Sequence, residues 1–315
     1  MKTPSVEFNI SAGERPRVLF LGNGLCRAYG GQDWNKVLDE IKDKEKFPEE
    51  ARLYDVPMPL KAAMLTDGNL ASKMREQKKD HFDSFVVSSP EQRLAIRQFA
   101  DLGFDIILTT NYSYEIESAL LGKEKLTEKD ITKLLSFSGV DHAQIQYFIN
   151  TFNKIDNYKV WHIHGEARKP DSMIIGQYYY GNLLFKFKEY FDRKDKHYKN
   201  ISKENEKLEV ESWLDAFVFG DVYILGFGFD FSETDLWWLL EKKKLTGNHG
   251  KTFFFNPIAD NPKNLEEGHI PPDDCKKHLF DAYEVNHKSF GLKANCDDDY
   301  RSFYNKVYEH IKTIL

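Results

Sequence analysis

Five short segments carry residue types able to hold or cut a nucleotide. Gly22-Asn23-Gly24 follows the apolar run Arg17–Leu21 and precedes a helical pattern. Two glycines let the backbone approach a phosphate with its N–H groups, and a helix start favours the anion's charge. The same residues also suit a plain strand-to-helix turn. Arg27 stands where a GxGxxG fingerprint needs its third glycine, so the ordinary dehydrogenase motif is broken. Thr110-Asn111-Tyr112 follows the run Asp105–Thr109. The Asn111 amide can hold a water through its oxygen, or a ribose hydroxyl through either end. Capping the next helix is its ordinary alternative.

His164-Gly165 closes the run Tyr158–Ile163. A neutral imidazole there can act as general base or orient a hydroxyl. His162 lies two residues earlier, on the same side of a strand, and is expected to be a hydrogen-bonded core residue. Gly226-Phe227-Gly228 ends a fourth run and leads to Asp230, Ser232 and Asp235. These polar side chains can meet a ribose or cap the helix that follows. Asn256-Pro257, after Thr252–Phe255, suits a turn or a further ribose contact.

The elements that must position these groups follow from hydrophobic patterning. Short apolar runs over 17–21, 105–110, 158–163, 222–227 and 252–255 read as buried strands, with a sixth near 282–285. Helices are expected after Asp33, where Trp34, Val37, Leu38 and Ile41 fall at helical spacing, and over 91–102 behind a Ser89 cap. Further helices are expected from Glu115 to Leu121, from Glu233, and over 297–314, with Tyr300, Phe303, Val307 and Ile311 in step. The pattern predicts an α/β fold: a Rossmann-like parallel sheet covered by helices on both faces. One domain over 1–315 is expected, with helical insertions near 42–100 and 123–157. A lysine-rich insertion near 183–208 reads as a solvated helix face or a loop. Ligands of such sheets collect beyond the carboxyl ends of the strands, where the glycine, Asn111 and His164 segments converge.

Composition narrows the function classes. The 315 residues are 41% hydrophobic, enough for a packed core, and the net charge of −6 does not indicate nucleic-acid binding. No apolar run is long enough to span a membrane, and the N-terminus lacks a signal-peptide core. A cytoplasmic protein is expected. Cys26, Cys275 and Cys296 cannot form two CxxC pairs, so neither a zinc module nor any other metal site is expected.

The order of Gly22-Asn23-Gly24, Thr110-Asn111-Tyr112, His164-Gly165, Gly226-Phe227-Gly228 and Asn256 resembles the sirtuin-like family. More narrowly, it resembles the bacterial sirtuin-like NAD-cleaving proteins of anti-phage defence, of the Thoeris and abortive-infection types. The resemblance implies an NAD site and no metal. It implies that Gly22, Asn23, Gly24 and Thr110 approach the dinucleotide, with the two glycines around the pyrophosphate. Asn111 would place the water or ribose, and His164 would be the catalytic histidine. Gly226, Gly228 and Asp230 would line the nucleotide, and Asn256 would face the adenosine ribose. The expected activity is hydrolysis of NAD to nicotinamide and ADP-ribose by a gated effector, acting as a homo-oligomer or with a defence-system partner. A non-catalytic NAD or ADP-ribose sensor of the same fold is the alternative. The missing cysteine pairs and the missing Pro-x-Phe-Arg segment rank protein deacylation last.

Overall fold

The computed structural model describes residues 7–31, 56–65, 88–137, 149–169, 172–201, 207–259, 272–292 and 297–315. The helix expected after Asp33 and most of 42–87 lie outside them.

Eight strands form one sheet: β1 (Arg17–Leu21), β2 (Ile106–Thr109), β3 (Leu135–Phe137), β4 (Thr151–Ile155), β5 (Tyr158–His162), β6 (Asp221–Leu225), β7 (Thr252–Ala259) and β8 (Val285–Leu292). Their order is β8-β7-β6-β1-β2-β5-β4-β3. The first six in that order run parallel; β4 and β3 extend the far edge antiparallel. The chain builds outward from β1 through β2 to β5. It then crosses back to lay β6 on the other flank of β1. The order therefore reverses between β1 and β6, which opens a crevice at their carboxyl ends. Register aligns those ends: Leu21 lies opposite Thr109 and Leu225, and Thr109 opposite His162.

The helices are α1 (Asn23–Arg27), α2 (Met58–Leu65), α3 (Pro90–Ala100), α4 (Glu115–Leu121), α5 (Glu128–Leu134), α6 (Gln177–Ile201), α7 (Trp213–Phe219), α8 (Thr234–Leu245), α9 (Pro272–Ala282) and α10 (Asp297–Ile314). Strand pleating divides the core between them. Val18 and Phe20 pack with Ile106 and Leu108 under α6, α7 and α8. Leu19 and Leu21 turn to the opposite face and pack with Ile107 under α3, α4 and α10. Both faces of the parallel strands are apolar because both are covered.

Three expectations change in detail. Residues 123–157 are not a helical insertion throughout. Among the described residues of that stretch α5 is the helical part, with a Thr127–Asp130 capping box, and β3 and β4 follow. The missed signal is the turn Asp156-Asn157. Asp156 adopts a left-handed φ of 50°, and Ile155 pairs with Tyr158 across a two-residue hairpin. Of the lysine-rich stretch 183–208, residues 183–201 belong to α6, a 25-residue helix that begins before residue 183, and 202–206 lie outside the described residues. Lys188, Lys196 and Lys199 are exposed, while Tyr180, Leu183, Phe187, Tyr190, Phe191 and Tyr198 form a buried stripe at helical spacing. The sixth parallel strand runs over Val285–Leu292, not 282–285. It is an edge strand with several exposed polar positions, so it lacks the continuous apolar run of its neighbours.

Candidate active site

A cavity of about 390 Å³ lies at the carboxyl ends of the parallel strands. Ligand pockets typically span roughly 300–1,000 Å³. Asn23, Gly24, Thr110, Asn111, His164, Gly226, Gly228, Asp230 and Asn256 all line it. Gly22 is the one expected site residue that does not. It lies just behind the wall, packed against the turn that follows β6.

The glycines of the β1–α1 turn are required by neighbouring backbone. Gly22 N–H donates to Leu225 O at 3.0 Å, and Gly24 N–H donates to Gly226 O at 2.6 Å. A Cβ on Gly22 would lie 2.4 Å from the Gly226 oxygen; one on Gly24 would lie 2.6 Å from Tyr304 Oη. Gly226 itself has φ 69°. The two glycine segments thus lock together across the crevice. The Gly22 and Gly24 N–H groups are taken up in that contact and are not free for a phosphate, contrary to the expectation from the sequence. Gly228 differs, because a Cβ there meets no atom within 4 Å.

Asn111 stands two residues beyond β2 and is held from behind. His162 Nδ1–H donates to its carbonyl at 2.7 Å, and His162 Nε2–H donates to Glu117 at 2.8 Å. Glu117 also accepts from Asn153 Nδ2 at 2.8 Å. Burial opposes charge on His162, but the Glu117 carboxylate and these hydrogen bonds outweigh it and raise its pKa to about 9. His162 is therefore a buried cation spent on structure, and it does not line the cavity.

His164 is placed by a tight crossing. Gly165 has φ 90°, and a Cβ there would lie 2.2 Å from the Ser172 oxygen. Ile174 N–H donates to His164 O at 2.8 Å, and Tyr112 Oη donates to Ile174 O at 3.0 Å. These bonds strap residues 172–176 along the cavity. His164 Nε2 pairs with the buried Asp235 at 2.8 Å. Burial alone would lower the His164 pKa, yet Asp235, its hydrogen bond and Glu233 together raise it.

Asp235 sits behind His164, outside the cavity lining. Glu233, from the turn before α8, faces the cavity and accepts from Tyr180 Oη at 2.8 Å. Burial is the chief cause that raises Glu233 to about 7. Asp230 lines the cavity and also closes its own turn, accepting from Ser232 N at 2.9 Å. Asn256 lies inside β7 opposite Ser289, not in a turn. Pairing of β7 with β6 ends at Phe254, so Asn256 projects past the end of β6.

Sequence reasoning passed over Glu233, Tyr180 and Tyr304 as site residues. Glu233 carried only the signal of a helix-start acid. Tyr180 and Tyr304 fall within helical stripes that also build the core. The Asn256 amide and the Tyr304 hydroxyl make no hydrogen bond to a described residue, which leaves both able to meet a ligand.

His164, Glu233 and Asp235 are the one group of three metal-ligand types found close together among the described residues. The His164–Asp235 and Tyr180–Glu233 hydrogen bonds already engage all three. The cluster reads as a proton-handling set.

Residues 105–206 match a family model described as a SIR2-like domain. The matched stretch runs from β2 past α6 and contains both Thr110-Asn111-Tyr112 and His164-Gly165. Over this part the chain is similar to a family that includes NAD-utilising enzymes. No curated protein matches the chain. Among the described residues, no helix is long and apolar enough to cross a membrane.

Proposed function

We propose that the protein hydrolyses NAD at the bond between nicotinamide and ribose. The observation that carries this reading is that one cavity, at the reversal point of the sheet, is lined by both Asn111 and His164. The SIR2-like match over the segments bearing those residues supports it.

The chemistry asks little of the protein beyond placement. Nicotinamide leaves as a neutral ring from a cationic one, and the ribose passes through an oxocarbenium-like state. Holding the ribose, orienting a water and excluding competitors supply the rate. Asn111, fixed through its main-chain carbonyl and with Nδ2 donating to Cys26 Sγ at 3.8 Å, presents its amide oxygen to a water or a ribose hydroxyl. His164, oriented by Asp235, contacts the same ribose. Gly24, Gly226 and Gly228 leave room for the pyrophosphate, with Asn23, Thr110 and Asp230 beside it. Asn256 meets the adenosine ribose, and Tyr304 closes that end. No step needs a metal.

Uncontrolled loss of NAD would harm its host, so the activity is gated. The resemblance to anti-phage effectors makes infection the trigger, with self-association or a partner protein as the switch and the cytoplasm as the setting. The test is purified full-length protein with NAD, alone and with infected-cell lysate, followed by chromatography of the products. Release of nicotinamide with equimolar ADP-ribose is expected. Tight NAD binding with no release under either condition would make the protein a sensor.

A further inference from the structure

The NAD-cleaving reading gives His164 no partner in proton transfer, yet a second titratable group shares its cavity wall. We propose that Glu233 is the general base of this site, and that His164 serves as hydrogen-bond donor to the ribose.

The geometry separates the two roles. His164 Nε2 is committed to Asp235, whose carboxylate is fully buried and has one oxygen with no partner. That buried anion favours the imidazolium against the opposing effect of burial, and in the imidazolium the second ring nitrogen is a donor. A histidine held in this form is a poor acceptor for a water proton. Glu233 faces the same space from the turn before α8. Its surroundings are Tyr180 on α6, Tyr112 beyond β2, His164 beyond β5, and Asp230 and Asp235 on either side of it in the chain. Burial and the two aspartates disfavour its charge, whereas His164 and the Tyr180 hydroxyl favour it. The balance leaves a carboxylate near neutrality, which is where a general base works best.

The step balances without a co-reactant. The C1′–N bond breaks and its electron pair leaves with neutral nicotinamide. The water oxygen bonds to C1′, and its proton passes to a Glu233 oxygen and then to solvent. Glu233 and His164 thus divide base and donor as two groups whose pKa values are driven toward opposite roles.

This inference rests on the NAD-cleaving reading, and its test keeps the two apart. Turnover of the full chain is measured across pH for the parent, Glu233→Gln and Tyr180→Phe, each checked by thermal melting. Carboxyl infrared titration of the parent against Glu233→Gln gives a readout independent of activity. The parent should gain activity as pH rises through about 7, and the difference spectrum should show a carboxyl titrating there. Glu233→Gln should lose about 10²–10⁴-fold in turnover, lose that rising limb, and still bind NAD. Tyr180→Phe removes a hydrogen bond that favours the carboxylate, so the limb should move to higher pH. A folded Glu233→Gln protein that keeps the parent rate and profile overturns the assignment and leaves the NAD reading intact. A parent that never cleaves NAD overturns both.

Discussion

His162 and His164 are two residues apart and meet opposite environments. His162 ends β5 and spends both ring nitrogens inside the protein, on Glu117 and on the Asn111 carbonyl. His164 lies past the strand end, spends one nitrogen on Asp235 and turns toward the cavity. Strand spacing would make them a pair on one face, but the strand ends at His162 and the chain turns there, with Gly165 N–H donating to His162 O at 3.0 Å. Sequence proximity therefore conceals a division of labour. One histidine braces the backbone of Asn111, and the other faces the cavity beside it.

The largest expected effects fall on the cavity side. His164→Ala and Asn111→Ala should each reduce NAD turnover by about 10²–10⁴-fold; Asn111→Ala should melt near the parent temperature, whereas His164→Ala also strips the buried Asp235 of its partner and should melt lower. Steady-state kinetics with melting curves checks this. His162 does not line the cavity, so its loss should act through stability alone. His162→Leu leaves the Glu117 carboxylate buried without its cation, and removing one partner of a buried pair costs roughly 3–5 kcal/mol. Denaturant unfolding measures that loss. A mild His162→Leu phenotype would erase the distinction between the histidines.

The glycines sharpen the same contrast between bracing and ligand space. Gly22→Ala forces a Cβ against the Gly226 carbonyl and should destabilise by about 1–3 kcal/mol. Gly228→Ala adds a methyl to open space, so stability should change by no more than about 0.5 kcal/mol while NAD affinity falls. Calorimetric titration of both variants separates the roles. The smallest effect is a pH drift. His162 has its pKa raised from 6.5 to about 9, so its stabilising contribution is complete below about 6.5 and is lost as pH rises through about 9. Melting temperature followed from pH 6.5 upward should decline in the parent more than in His162→Leu.

Much of this layout was legible in the residues. Continuous apolar runs ending in Gly22, Asn111, His164 and Gly226 mark strands buried on both faces, and their polar ends mark the crevice. What escaped has physical causes. The β4–β5 hairpin depends on a left-handed Asp156 that no hydrophobic period reports. Edge strand β8 is half solvated, so its pattern is diluted. Glu233 and Tyr180 come together only because α6 returns over the sheet to meet the turn before α8. The close packing of Gly22 and Gly24 against Gly226 is likewise tertiary. Their glycine identity was visible, but the backbone that demands it lies about two hundred residues away.

The central claim is that NAD lies in the crevice with its nicotinamide ribose between Asn111 and His164. A crystal structure of the folded His164→Ala protein with NAD tests it most directly. The account predicts the nicotinamide ribose beside Asn111 and Glu233, the pyrophosphate near Gly24 and Gly228, and the adenosine ribose at Asn256. An empty crevice at saturating NAD, or a dinucleotide bound with its adenosine end at Asn111, would contradict it.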